Sequence, residues 1–221
     1  MPGWSGIASG CSHPHANLGR DRQHTLDKQA EQLLMAGIYP TPTPELPPIS
    51  RPLPEGTENR DLVLLVPGSS PLRPEKRWPA TRFGEVAAAL HDLGYLPVIV
   101  GSAGETPLAA AIREICPAAL DLTGKTDLTT LAAMSQRASL TIGNDTGVCH
   151  LAAAANCPVL VLFSRASDPA MCAPRGRLVQ IVAEPDLADV PAGTVIAAAH
   201  AVFGANRGNA ADSKLVAVGT K

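Results

Sequence analysis

Residues 140–163 read LTIGNDTGVCHLAAAANCPVLVLF and carry the repeating unit of the fold. The segment contains a short apolar strand, Leu140–Ile142, then a glycine-containing loop and an alanine-rich helix predicted over Gly147–Ala155. A second apolar strand, Val159–Phe163, follows the helix. Apolar strands separated by a helix indicate a right-handed crossover between parallel strands, and continuous apolar strands are typical of a sheet that is buried on both faces.

The same alternation of strands and helices extends over most of the chain. We predict further strands over Leu62–Val66, Leu96–Val100, Ala119–Leu122 and Leu178–Val182, and further helices over Thr81–Leu93, Thr106–Ile115, Leu128–Arg137 and Pro191–Gly204. This order predicts an α/β fold with a Rossmann-like, doubly wound parallel sheet that has helices on both faces.

The first 60 residues differ from the rest in composition. They are polar and rich in proline, and they predict a single helix, Thr25–Ala36, with Gly37 as its C-cap. The prolines between Pro40 and Pro54 then predict a stiff linker, because proline excludes both a helix interior and a central strand. We therefore expect three regions: an N-terminal segment with a linker over residues 1–60, a ligand-binding domain over 61–205 and a disordered tail over 206–221.

Charge and cysteine content exclude several classes of function. The formal net charge of −2 gives no general attraction to nucleic acid or to acidic membranes, so a bound anion must be held by local donors. No apolar run approaches the ~20 residues of a membrane span, and Met1–Trp4 is unlike a signal peptide. Five cysteines without a CxxC pair predict free thiols in a reducing cytoplasm. Cys11–His15 contains three potential metal ligands, but a closed zinc site needs four, so we predict no metal there.

Ligands of an open parallel sheet bind beyond the carboxyl ends of its strands, so the loops that follow strands are the candidate sites. The loop after Leu62–Val66 contains Ser69, Ser70 and Lys76, whose hydroxyl, backbone N–H and ammonium groups can bind a phosphate. The loop is neither a Walker loop nor a dinucleotide fingerprint, because GxxxxGK[ST] and GxGxxG are absent. The alternative is a polar loop with a solvated lysine.

The loop after the next strand, residues 101–105, ends in Glu105. A carboxylate at a strand end can accept hydrogen bonds from both hydroxyls of a ribose. Alternatively, Glu105 stabilises the dipole of the helix that follows.

The loop over residues 143–150 is the strongest candidate. A helix that begins at Gly147 offers free N–H groups and positive dipole charge to a diphosphate, and the glycine leaves room for a close ligand. Asp145 would be repelled by a phosphate, so we expect it to accept hydrogen bonds from sugar hydroxyls or to cap the helix. His150 lies one turn along the helix and either faces the same anion or is structural.

Taken together, from Leu62 to Pro174, these segments resemble glycosyltransferase family 9, the family of the lipopolysaccharide heptosyltransferases. The resemblance is carried by Pro67–Ser70, Lys76–Pro79, Gly101–Glu105, Leu122–Thr126 with Leu128, Asn144–Gly147 with His150, and Pro158–Phe163. It implies a GT-B fold, in which two Rossmann-like lobes face each other across a cleft. This chain would hold the C-terminal half of that fold, the lobe that binds the nucleotide-sugar donor.

The resemblance implies a donor site for ADP-heptose or another nucleotide sugar, formed by Ser69, Ser70, Lys76, Glu105, Thr126, Asp145, Thr146, Gly147 and His150. The first three would contact the diphosphate, and Thr146 and Gly147 would bind it through backbone N–H groups. Glu105 would bind the ribose and Thr126 would border the adenine. Asp145 would hold the donor sugar and His150 would support the site. No cofactor is implied, and no DxD-type acidic pair is present, so we expect binding without a metal ion.

The resemblance also implies an N-terminal lobe that binds a lipid A–core oligosaccharide acceptor and carries a catalytic carboxylate. Residues 1–60 resemble only the end of that lobe, so we expect a truncated lobe that needs a missing half or self-association. No catalytic base is identified. The carboxylates that lie near the N-terminus are those of Asp21 and Asp27. We expect a cytoplasmic protein, and the resemblance allows a peripheral position at the inner face of the inner membrane.

Two functions remain open. The first is a heptosyltransferase-like lobe that binds an ADP-sugar for transfer to a lipopolysaccharide core acceptor and is incomplete as a catalyst by itself. The second is a non-catalytic module that binds a nucleotide or a nucleotide sugar. A dehydrogenase is disfavoured because GxGxxG is absent.

Overall fold

Strands and helices alternate along the chain as the sequence predicts. The computed structural model describes residues 5–8, 10–15 and 17–216. The strands are β1 (Ser5–Gly6), β2 (His13–Pro14), β3 (Leu62–Val66), β4 (Leu96–Ile99), β5 (Leu120–Asp121), β6 (Ala138–Asn144), β7 (Val159–Phe163) and β8 (Val179–Ala183). The helices are α1 (Thr25–Met35), α2 (Ala80–Asp92), α3 (Thr106–Ile115), α4 (Leu128–Arg137), α5 (Gly147–Ala154), α6 (Pro169–Cys172) and α7 (Ala192–Val216).

Strands β3 to β8 form a six-stranded sheet in the order β5-β4-β3-β6-β7-β8, and every neighbouring pair is parallel. The chain runs outward from the central β3 to β5 and then returns to place β6 on the other side of β3. The strand order therefore reverses between β3 and β6, and ligands of such sheets bind in the crevice at this point. The prediction of a doubly wound parallel sheet is confirmed.

The central strands are buried on both faces. Successive strand residues point to opposite sides, so each of these strands contributes to two cores. Val63 and Leu65 pack in a core formed with α2, α3 and α7, whereas Leu64 and Val66 pack in a second core formed with α4 and α5. Each of these side chains is at most 2% exposed. Because burying one such side chain contributes about 1.5–3 kcal/mol, the apolar strands are the main source of stability.

Two elements are longer than predicted. β6 begins at Ala138 and ends at Asn144, since small and polar residues at its ends continue the pairing with β3 and β7 without extending the apolar run. α7 continues to Val216, beyond the end predicted at Gly204, and the disorder expected for residues 206–221 stays a prediction. No proline follows Pro191, and the helix is already anchored by the buried Val195 and Ala199, so its continuation is not interrupted. Residues 217–221 lie outside the described residues.

The N-terminal helix and the linker lie against the sheet domain. α1 ends at Met35, one residue before the predicted end. Gly37, the predicted cap, has a φ of +78° and closes the helix with hydrogen bonds from Ile38 N–H to Leu33 O (3.0 Å) and from Gly37 N–H to Leu34 O (2.9 Å). The proline-rich linker forms no helix or strand. It is held by α4 through Gln136, whose Nε2 donates to Pro47 O at 2.9 Å.

None of the helices in the described part of the chain has both the length and the apolar character needed to cross a membrane.

Candidate functional site

The loops with candidate residues lie along one edge of the sheet. They follow β5, β4, β3 and β6, which are neighbours and run parallel, so the carboxyl ends of these strands share that edge. The loop after β5 contacts the loop after β4 through a hydrogen bond from Gly124 N–H to Gly101 O (2.8 Å). The fold therefore brings the predicted donor-binding residues to one edge, which we call the carboxyl edge.

Lys76 and Asp145 form an ion pair where the strand order reverses. Lys76 Nζ donates to Asp145 Oδ2 at 2.6 Å, and the two side chains are 18% and 7% exposed. Asp145 does not cap α5, because Thr146 is the N-cap residue and no side chain makes a capping hydrogen bond there. Of the two roles predicted for Asp145, the helix cap is therefore wrong, and the contact with sugar hydroxyls stays a prediction.

The N-terminus of α5 is open. Its first turn has no side-chain cap, and a Cβ atom placed on Gly147 would meet no atom within 4 Å. The N–H groups of the first turn and the positive end of the helix dipole, directly after Asp145, therefore favour an anion.

His150 lies at the edge of this ion pair. Its Nε2 is 4.0 Å from Asp145 Oδ1, and its side chain is 44% exposed. Burial lowers the pKa of His150 below its ordinary value, Asp145 opposes this shift, and His24 and Lys76 add to it. The ring therefore favours its neutral form in the free chain.

The hydroxyl of Ser69 is engaged by other parts of its own loop. Ser69 is buried, its Oγ donates to Arg73 O at 3.0 Å, and the same oxygen accepts from Arg77 Nε at 3.1 Å. Ser70 is exposed, and its Oγ accepts weakly from Leu72 N–H at 3.4 Å. A phosphate contact from Ser69 would therefore come from its backbone N–H and not from its hydroxyl.

Glu105 has a capping role that the sequence did not predict, in the 3₁₀ turn Ala103–Glu105 before α3, and it lies in the loop where a ligand contact was predicted. Its Oε2 accepts from Ser102 N–H at 2.6 Å and from Ser102 Oγ at 3.1 Å, which forms a capping box. Its carboxylate fills the space above two glycines. A Cβ atom on Gly68 would lie 1.5 Å from Oε1, and one on Gly101 would lie 2.3 Å from Oε2. The ribose contact stays a prediction.

Thr126 lies in the loop after β5. Its Oγ1 is buried and has no hydrogen-bond partner among the described residues. The adenine contact stays a prediction.

Sequence reasoning missed Asn144 and Arg77 as site residues. Asn144 is fully buried at the end of β6 and bonds to the loop after β3, and Arg77 bonds to Ser69 in that same loop. The partners of Asn144 lie 66 to 77 positions away in the chain, so local patterns do not show them. The available signal was an amide side chain at the end of an apolar strand, directly before Asp145.

The carboxylates considered for catalysis are not placed as a base. Both oxygens of Asp27 accept from the guanidinium of Arg175 at 2.6 Å, and these hydrogen bonds lower the pKa of Asp27. Asp21 lies in the 3₁₀ turn Arg20–Arg22. Within the described ranges no group of three or more His, Cys, Asp or Glu side chains could hold a metal ion, and binding without a metal stays a prediction.

A family model of glycosyltransferase family 9 (heptosyltransferase) matches residues 11–192. The chain belongs to this family.

Curated relatives are heptosyltransferases. The chain is 32% identical over 113 residues to lipooligosaccharide heptosyltransferase 2 of Haemophilus influenzae, covering 49% of this chain and 32% of the relative. It is 33% identical over 116 residues to lipopolysaccharide heptosyltransferase 2 of Escherichia coli K12, covering 50% of this chain and 33% of the relative. The match therefore spans about a third of the length of these relatives.

Solved structures share the fold. ADP-heptose lps heptosyltransferase II of E. coli superimposes with a TM-score of 0.77 at 20% identity, covering 94% of this chain and 71% of that chain. The family 9 glycosyltransferase of Veillonella parvula superimposes with a TM-score of 0.74 at 23% identity, covering 92% of this chain and 68% of that chain. The Rossmann-like fold of a GT-B heptosyltransferase lobe is thus confirmed.

Proposed function

We propose that the chain is the donor-binding lobe of a heptosyltransferase-like glycosyltransferase of lipopolysaccharide biosynthesis. It binds an ADP-sugar, ADP-heptose or another nucleotide sugar, at the carboxyl edge. The observation that carries this proposal is that Lys76, Asp145 and the open N-terminus of α5 meet where the strand order reverses. An E. coli heptosyltransferase that superimposes with a TM-score of 0.69 was solved with ADP, which supports the choice of nucleotide.

The charges at this edge suit a diphosphate. The lysine and the helix N-terminus supply positive charge, whereas the net charge of the whole chain is −2, so attraction is confined to this edge. In the free chain Asp145 neutralises Lys76. In the complex we expect Lys76 to bridge Asp145 and a phosphate oxygen, while Asp145 accepts a hydrogen bond from a sugar hydroxyl.

The same groups would assist transfer. When the bond between the sugar and the diphosphate breaks, negative charge grows on the phosphate oxygens of the leaving ADP. Lys76 and the N–H groups of the first turn of α5 would stabilise this charge more strongly in the transition state than in the ground state. The acceptor hydroxyl, expected on a lipid A–core oligosaccharide, needs a base that this lobe does not place.

Isothermal titration calorimetry with ADP, with and without EDTA, tests the proposal. We expect ADP to bind with the same affinity in both solutions, because protein donors and not a divalent ion hold the diphosphate. Loss of binding on chelation would refute metal-free binding, and failure of ADP to bind in either solution would refute the proposed function.

A non-catalytic nucleotide-binding module is the second candidate. It is favoured by the pairing of Asp27 with Arg175, which leaves that carboxylate unsuited to accept a proton. Acceptor-dependent release of ADP distinguishes the two functions.

A further inference from the structure

We infer that Asn144 and Arg77 are positioning residues that turn the backbone N–H groups of Gly68, Ser69 and Ser70 toward the diphosphate of the donor. The inference rests on the proposed function and concerns how the loop after β3, residues 67–70, is made ready for an anion. Neither side chain needs to touch the ligand.

Asn144 connects three parts of the carboxyl edge. It is fully buried, its Nδ2 donates to Pro67 O at 2.8 Å and to Gly68 O at 3.3 Å, and its Oδ1 accepts from Trp78 N–H at 3.0 Å. The residue that follows is Asp145, the partner of Lys76. One amide thus holds the loop after β3, the segment that carries Lys76 and the loop after β6 in a single arrangement.

Arg77 holds the next carbonyl group of the same loop. Its Nη2 donates to Ser69 O at 3.0 Å and its Nε donates to Ser69 Oγ at 3.1 Å. The planar guanidinium makes both bonds at once, which a lysine cannot do in this geometry. Three successive carbonyl oxygens, those of Pro67, Gly68 and Ser69, are therefore tied back to the protein.

The geometry of the peptide bond then orients the N–H groups. In a trans peptide the C=O and the following N–H point in opposite directions. Because the carbonyls of residues 67, 68 and 69 are bound by Asn144 and Arg77, the N–H groups of Gly68, Ser69 and Ser70 point away from these side chains. Within the described ranges none of these three N–H groups has a hydrogen-bond partner.

Consecutive free N–H groups at the end of a strand form an anion site. Asn144 links this row to the segment that carries Lys76, and Asp145, the partner of Lys76, lies just before α5, so the three sources of donors belong to the same part of the carboxyl edge. The carboxylate of Glu105 also lies there, against Gly68. The sequence predicted donors from Ser69 and Ser70, and the two positioning residues explain why the backbone can provide them although the Ser69 hydroxyl is engaged.

The test uses two variants of the full chain and one matched control. Asn144→Asp keeps an acceptor for Trp78 N–H but places a carboxylate oxygen against the carbonyls of Pro67 and Gly68. Arg77→Lys keeps the charge and removes the paired donors. The control is Thr141→Val. Thr141 lies in β6 and is as buried as Asn144, but its hydroxyl forms a hydrogen bond with Cys157 Sγ (3.4 Å) and not with the loop after β3.

Calorimetry with inorganic pyrophosphate and with ADP measures binding, and thermal unfolding measures stability. We expect both variants to lose about tenfold or more in affinity for both ligands, with a smaller loss for AMP. Thr141→Val should lose stability and keep the affinity of the wild type. In the wild type, the amide NMR signals of Ser69 and Ser70 should shift on adding pyrophosphate.

Several outcomes overturn the inference. If Arg77→Lys binds both ligands as the wild type does, the inference is wrong, and this variant decides the matter if Asn144→Asp does not fold. If both variants bind pyrophosphate and ADP as tightly as the wild type does, the inference fails, but the proposed function still stands because the wild type binds ADP. If the wild type binds pyrophosphate but not ADP, and both variants bind pyrophosphate more weakly, the inference is supported and the choice of nucleotide is refuted. If neither ligand binds the wild type, both proposals fail.

Discussion

Lys76 pairs with Asp145 in the free chain and is proposed to bind a phosphate oxygen of the donor. Its substitution should therefore affect both stability and binding. Lys76→Ala leaves the carboxylate of Asp145, only 7% exposed, without its cation. We expect a loss of about 1–3 kcal/mol in the free energy of unfolding, measured by urea denaturation. ADP affinity should fall roughly tenfold or more, whereas AMP, which has a single phosphate, should lose less.

A double variant separates the two effects. Lys76→Met combined with Asp145→Asn removes both charges, so most of the lost stability should return, while ADP affinity should stay low. Equal losses of ADP and AMP affinity in Lys76→Ala would contradict a contact with the diphosphate and show that Lys76 acts elsewhere or only through stability.

His150 should make the stability of the chain depend on pH. Burial lowers its pKa in the folded chain below the ordinary value of 6.5, so the unfolded chain takes up a proton first as the pH falls. Stability contributed by the neutral ring is therefore present above pH 6.5 and is lost as the pH falls from there to the folded pKa. His150→Gln, which does not titrate, should lose less stability than the wild type between about pH 7.5 and 5.5.

Urea midpoints at several pH values check this prediction. An acid-induced loss that is unchanged in His150→Gln would show that other groups cause it.

At the scale of elements, one buried histidine connects α1 to the sheet domain, beside a hydrogen bond from Thr25 Oγ1 to Met171 O (3.1 Å) and the ion pair of Asp27 with Arg175. His24 accepts from Leu26 N–H through Nδ1 (3.2 Å), which caps α1, and bonds through Nε2 to Ala173 O (2.9 Å). His24→Ala should cost about 1–2 kcal/mol in the docking of α1. Hydrogen exchange should therefore become faster in the amides of α1 and stay unchanged in β3 and β6.

The ion pair of Asp27 and Arg175 also joins α1 to the sheet domain, and it serves as the comparison for His24. Both side chains are more than 40% exposed, so solvent screens their attraction, and Asp27→Asn should change exchange in α1 much less than His24→Ala. A larger effect of Asp27→Asn would mean that the salt bridge, and not the histidine, holds the helix.

Sequence patterns predicted elements best where one physical signal dominated. Val159–Phe163 is a continuous apolar run, and Leu128–Arg137 begins after Asp127, whose side chain accepts from Thr130 N–H. Both elements were predicted with their observed bounds. β6 was predicted too short because Gly143 and Asn144 pair with β7 without being apolar.

The candidate site was predicted in its position but not in its internal contacts. The carboxyl ends of parallel strands share an edge in any such sheet, so the loops could be assigned from strand positions alone. The inward turn of the Ser69 hydroxyl and the three bonds of Asn144 depend on residues distant in sequence, and no local pattern contains them. The capping box of Ser102 and Glu105 is local, but the sequence analysis considered only the helix dipole as the alternative to the ligand role.

At the scale of the molecule, the N-terminal segment exposes several large apolar side chains near the end of α1. They are 38–78% exposed: Leu33, Leu34, Met35, Ile38 and Tyr39. Exposed apolar side chains are typical of protein-binding surfaces where they form one contiguous patch. The self-association expected from the sequence stays a prediction.

The described residues before β3 contain two strands of two residues each, one helix and one 3₁₀ turn. We expect the 221-residue chain by itself to bind donor but not to transfer its sugar. Transfer needs a base within hydrogen-bond reach of the acceptor hydroxyl, and much of the rate enhancement comes from holding the acceptor opposite the donor. Asp27 is paired with Arg175, and Glu31 accepts hydrogen bonds from Asn17, His15 and Gln23 that lower its pKa to about 2.

Asp27 and Glu31 are therefore weak proton acceptors at neutral pH. No contact in the described part of the chain places either of them opposite the N-terminus of α5. The measurement is ADP release from ADP-heptose in the presence of a heptose-free lipid A acceptor, with Lys76→Ala as the control for donor binding. No acceptor-dependent release above that control is expected. Steady release that is lost in Lys76→Ala would contradict the prediction, and Asp21→Asn and Asp27→Asn would then show whether a carboxylate of the N-terminal segment is the base.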